Sequence, residues 1–82
     1  MKTEKIYVAI DAHFNPDGKL IPTAIIWTDG RRYAVDRVLD TRRAASLKAG
    51  GIGVRYTCRI GGNQTYLFYE DVYGKWFVEA KR

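Results

Sequence analysis

The 82-residue sequence predicts an all-β, mostly antiparallel fold, and three observations carry the prediction. Apolar residues alternate with period two, turn signals recur at the spacing of all-β domains, and two independent turn assignments in the second half divide its strands into the same two faces. The expected architecture is a single domain over residues 1–82, a small SH3-like or Sm-like barrel of five to six strands with one short helix or loop near 41–50. An α+β two-layer sheet with one short helix is the alternative. A chain this short buries only about 60% of its unfolded surface, which favours a closed, economical core.

In KIYVAIDAHF, residues Ile6, Val8, Ile10, Ala12 and Phe14 share one parity and form the expected core face of the opening strand. Asn15 to Gly18 (NPDG) places Pro where its fixed φ suits a turn and Gly at the end, so the chain reverses. LIPTAIIW resumes a strand, and Pro22, which lacks a donor for the ladder, marks an edge or a bulge within it. Asp29-Gly30 signals a two-residue hairpin that would set Ile26 opposite Tyr33 and Ala24 opposite Val35. Alternation in RYAVDRVLD slips at Val38-Leu39, which predicts a bulge or bend.

The stretch DTRRAASLKAGG, Asp40 to Gly51, reads as a connector with a capped helical turn: Asp40 can cap, good helix formers run to Ala49, and two glycines follow. Arg42 and Arg43 would lie in its first turn, where an anion at the free N–H groups would offset their charge. GGIG, Gly50 to Gly53, lacks the flanking strand and helix of a nucleotide loop and reads as the start of the next strand.

The last third reads as a three-stranded meander. A turn at Gly62-Asn63 would pair Cys58 with Leu67, and a four-residue turn from Asp71 to Gly74 would pair Tyr69 with Trp76. Both assignments put Val54, Tyr56, Cys58, Ile60, Leu67, Tyr69, Trp76, Val78 and Ala80 on the core face. The other face then carries Arg55, Thr57 and Arg59 beside Tyr66, Phe68 and Phe77.

That basic and aromatic face is the candidate binding surface, joined by Arg42 and Arg43 if they fold back over it. Outward aromatics pack against a partner or a second copy, while rings flanked by arginines can stack bases and hold phosphates. The net charge of +5 is concentrated: between Arg31 and Arg59, eight Lys and Arg face two Asp, giving +6. Such a patch attracts nucleic acid, acidic proteins or anionic membranes.

Other chemistry finds little footing. His13 beside Asp11 falls short of a metal-ligand set, and Cys58, flanked in parity by Tyr56, Ile60 and Leu67, reads as a core thiol rather than a nucleophile. The acidic pairs Asp36/Asp40 and Glu70/Asp71 have Arg and Lys neighbours and read as ion-paired surface groups. No catalytic residue, cofactor, metal or small-molecule substrate is expected. One cysteine rules out an internal disulfide framework, and no stretch approaches a signal peptide or the roughly 20 apolar residues of a membrane span, so the expected location is the cytoplasm.

WTDGRRYAVDRVLD, followed after a variable segment by VRYTCRIGGNQTYLFYEDVYGKWFVEAKR, resembles a set of small bacterial β domains of unknown function. These combine a Trp-turn-Tyr-x-Val strand pair, a Tyr-rich hairpin and a Trp-x-Val closing strand. The resemblance covers Trp27 to Arg82 and implies no activity or site residue. The functional expectation is therefore a non-catalytic interaction module that meets a protein partner or its own copy through the aromatic face, with single-stranded nucleic acid as the alternative.

Overall fold

The computed structural model describes residues 3–45 and 52–81. Among these residues the chain is all-β, with seven antiparallel strands and no helix. They are β1 (Thr3–Phe14), β2 (Leu20–Ile26), β3 (Arg32–Ala34), β4 (Arg37–Ala45), β5 (Ile52–Ile60), β6 (Asn63–Glu70) and β7 (Lys75–Lys81). One curled, half-barrel sheet holds them in the order β3-β2-β1-β7-β6-β5-β4. The small-barrel expectation thus holds at the level of a curled antiparallel sheet, with more strands than the five or six expected. The expected helical turn is corrected over 41–45, which extend β4 against β5; residues 46–51 lie outside the described residues.

β1 produces much of the curl. Its first half, Thr3 to Val8, pairs with β7, and its second half, Ala9 to Phe14, pairs with β2. One long strand therefore turns a corner between a four-stranded meander and a hairpin. The two sheet edges are also neighbours in sequence, because only Val35 and Asp36 separate β3 from β4. The Val35 N–H donates to the Thr23 carbonyl (2.9 Å), and the Asp36 N–H donates to the Arg59 carbonyl (2.8 Å), so two residues carry the chain from one edge to the other.

Both expected bulges are present. The β1–β2 register shifts between Asp11 and Ala12, leaving Thr23 as the extra residue beside Pro22, and the β4–β5 register shifts between Val38 and Asp40, leaving Leu39 extra. NPDG forms its turn, the Gly18 N–H donating to the Asn15 carbonyl at 2.8 Å, and Asp71 to Gly74 forms the expected four-residue connection with Tyr69 opposite Trp76.

Two registers differ from expectation. The Trp27 N–H reaches the Arg31 carbonyl (2.8 Å) and the Gly30 N–H reaches the Trp27 carbonyl (2.9 Å), which closes a three-residue loop and pairs Ile26 with Arg32 and Ile25 with Tyr33. A two-residue loop of the expected type needs positive φ at both central positions, and of Asp29 and Gly30 only the glycine adopts it. In the second case the positive φ values fall on Gly61 and Gly62, so Cys58 pairs with Thr65 and Tyr56 with Leu67. Moving the turn by one residue shifts each partner by two, which preserves the faces.

The concave core accordingly contains the expected meander residues. Ile25, Tyr56, Cys58, Leu67 and Val78 are buried together, with Ile6, Val8, Ile10, Val54, Ile60, Tyr69 and Trp76 packed against them. Ala12 and Phe14 are corrections: both share the core parity, but beyond the bulge both are exposed, Phe14 to 72%, where β1 and β2 run out. Gly53 has a steric role, because a Cβ there would collide with the Tyr69 carbonyl, so β5 can pass this close to β6 only with glycine.

Candidate functional site

Sheet register places Arg42, Arg55, Phe68, Phe77 and Tyr7 in one row across β4, β5, β6, β7 and β1 on the convex face. The Phe68 and Phe77 rings stack at 4.9 Å and 8°, and Tyr7 meets Phe77 edge-on at 5.9 Å. These two phenylalanines face away from the core yet are only 4% and 2% exposed. They form a second apolar layer rather than an open platform.

A polar roof lies over that layer. Lys5 Nζ sits 4.9 Å above the centre of the Phe77 ring and 3.1 Å from Glu70 Oε2, while the Tyr7 hydroxyl donates to Glu70 Oε1 at 2.7 Å. Lys75 Nζ lies 5.5 Å from the centre of the Tyr7 ring. The hydrogen bond from Tyr7, followed by that from Lys5, holds the buried Glu70 carboxyl below its ordinary range although burial pushes it up. Glu70 in return raises the pKa of both Lys5 and Tyr7, chiefly through those hydrogen bonds. Tyr7 is thereby kept as a protonated donor, which suits a structural tie and not a base.

The row ends in two arginines of like charge set directly opposite each other, an arrangement that costs free energy in a sheet. Arg42 is relieved by Asp40, whose Oδ2 accepts from its Nε at 2.8 Å and holds it more firmly charged. Arg55 lies over the Tyr66 ring at 4.7 Å, and its Nε is buried with no hydrogen-bond partner among the described residues. Tyr66 remains 44% exposed. Arg59 is on the same face four residues along β5, about 13 Å away at ~3.3 Å per residue, and donates weakly to the Gly62 carbonyl (3.4 Å).

Arg43 has the opposite parity. It pairs with Val54 across the ladder and its guanidinium grips Asp71, with Nη2 2.6 Å from Oδ2. The structure thus brings Arg42, Arg55, Arg59 and Tyr66 onto one open face, places Phe68 and Phe77 beneath a roof on the same face, and turns Arg43 away. Parity separates Arg42 from Arg43 once 41–45 are read as strand, whereas the roof could not be foreseen because Lys5 and Glu70 are 65 residues apart.

The remaining titratable groups are occupied or remote. Asp36 Oδ2 accepts from the Gly61 N–H at 2.9 Å, and exposed His13 sits opposite Ile21 on β2. Cys58 is fully buried, and burial pushes its thiol up to about 11. No helix among the described residues is long and apolar enough to cross a membrane.

Fold and face together define a small all-β domain with an arginine-rich convex surface. No protein-family model, curated protein or solved structure matches the chain.

Proposed function

We propose that this chain is a non-catalytic binding module for single-stranded nucleic acid, with Arg42, Arg55 and Arg59 taking phosphates and Tyr66 offering its ring to a base. The observation that carries this reading is the Arg42/Arg55 pair: two like charges directly opposite each other, Arg42 tied to Asp40 and Arg55 stacked on an exposed tyrosine. A phosphate seated on the two guanidiniums offsets the repulsion that remains beside the Asp40–Arg42 pair. An excess of +6 between Arg31 and Arg59 adds long-range attraction for a polyanion. Association through open aromatics loses its main support, since Phe68 and Phe77 are already covered within the chain.

The test is fluorescence anisotropy with a labelled single-stranded oligothymidylate across a salt series. Binding should weaken steeply with salt, and each of Arg42→Ala, Arg55→Ala and Arg59→Ala should flatten the log–log slope by about 0.7. Tyr66→Ala should weaken binding by roughly 1–3 kcal/mol with the slope unchanged. Absence of binding at low salt overturns the proposal, as does heparin binding equally well together with no effect of Tyr66→Ala.

A further inference from the structure

The half-barrel does not close along its whole length. β3 covers only Ala24 to Ile26 of β2, and after Val35 the chain departs for the opposite edge. Leu20 to Pro22 therefore have no strand beside them on that side among the described residues, and a cleft of about 350 Å³ separates them from Thr41 to Arg43 of β4. This volume lies within the range of small-ligand sites.

The walls are Leu20, Ile21, Val54 and Tyr56, and the rim is Lys19, Thr41, Arg42 and Arg43. Tyr56 donates its hydroxyl to the Leu20 carbonyl at 2.6 Å, which satisfies the one polar side-chain group on the walls and leaves them mostly apolar. At the rim, Asp40 pairs with Arg42 and Asp71 with Arg43, while Lys19 has no ion-pair partner among the described residues. Three cationic groups against two carboxylates leave one positive charge uncompensated at the mouth of an apolar slot.

We propose that this cleft binds an amphiphilic monoanion, an alkyl or aryl carboxylate whose apolar body lies on Leu20, Ile21, Val54 and Tyr56 and whose head is met by Lys19. At roughly 30 Å³ for each non-hydrogen atom, the space holds about twelve of them, enough for the eight carbons and two oxygens of octanoate. The site borders the Arg55–Tyr66 surface at Arg42 but uses Lys19 and Ile21, which take no part there.

The test is titration of the full chain with octanoate, followed by amide chemical shifts, with 1-octanol and octylammonium as matched controls. Saturable shifts are expected around Lys19 to Ile21, Thr41, Val54 and Tyr56. Octanol and octylammonium should bind at least about tenfold more weakly, because each lacks the charge-assisted bond to Lys19. Lys19→Glu, at an exposed position, should weaken octanoate by a similar factor while Arg31→Glu, at the remote hairpin, leaves it unchanged. Ile21→Trp should fill the cleft and abolish binding with the circular dichroism spectrum retained; if it fails to fold, Lys19→Glu decides alone. Equal binding of octanol, shifts spread over the surface, or indifference to Lys19→Glu overturns the proposal. Tyr66→Ala, outside the cleft, should weaken the oligonucleotide and leave octanoate unchanged, so the failure of this cleft and that of the arginine surface are distinguishable.

Discussion

The concave and convex faces of the sheet both carry aromatic layers, buried by different means. On the concave side Trp76 packs between Tyr56 at 5.2 Å and Tyr69 at 4.7 Å, within a core that the curl folds around them and that draws on β1, β2, β5, β6 and β7. On the convex side Phe68 and Phe77 are roofed locally by Lys5 and Tyr7, tied down by Glu70. The first layer depends on the closure of the whole sheet; the second depends on three side chains and the ion pair between two of them. A parity pattern assigns residues to a face, but whether that face is dry depends on what reaches across it.

The comparison can be broken most severely in the core. Leu67→Ala removes a fully buried side chain from the enclosed layer and should cost about 3–4 kcal/mol, lowering Tm by roughly 12 °C or more in a thermal melt. Phe77→Ala should cost about 3 kcal/mol, the low end for a buried phenylalanine, because the Lys5 and Tyr7 side chains can settle into the gap. Urea denaturation of both variants measures the order, and a larger loss for Phe77→Ala would make the convex layer the principal core.

Glu70→Gln tests the roof alone. It should cost about 1–2 kcal/mol at neutral pH through weakened bonds from Lys5 and Tyr7. The sign of the pH effect follows from the shifts. Glu70 titrates below its ordinary value, so its contribution is complete above the unfolded carboxylate range and is lost as pH falls through the folded value. Lys5 titrates above its ordinary value, so its contribution is complete below the unfolded lysine range and is lost as pH rises through the folded one. Melts across pH should show the native chain losing stability at both extremes and Glu70→Gln losing less. Parallel curves would mean that the roof is not held by charge.

The smallest effect is expected at Phe14, whose ring stands beyond both layers. Phe14→Ser should leave stability within about 0.5 kcal/mol in the same urea assay. A substantial loss would place this ring against the core in solution.

Local chemistry foresees most of the strands, both bulges and the division of faces in the meander, but RYAVDRVLD reads as one strand where Val35 and Asp36 in fact divide it into β3 and β4 on opposite edges. Pro22 cannot complete a ladder and Val38-Leu39 breaks the alternation, so each irregularity is written in its own residues. The hairpin at Asp29-Gly30 was less legible because two loop lengths suit those residues, and their choice shifts the register by one. The stretch 41–45 misled because Thr, Arg and Ala following Asp40 satisfy helix rules as readily as strand rules, and pairing with β5 decides between them. Arg42 and Arg55 were expected on the candidate surface, but their direct opposition requires the β4–β5 register.

By itself the sequence determined an all-β chain with a concave meander core, a buried Cys58 and a basic middle segment, because alternation and turn chemistry act over a few residues. Only the tertiary structure decided that β1 turns a corner between two partners, that Lys5, Tyr7 and Glu70 close over Phe68 and Phe77, and that a basic-rimmed cleft remains between β2 and β4. These features join residues as much as 65 positions apart, and such distant pairs leave no periodic trace in the chain.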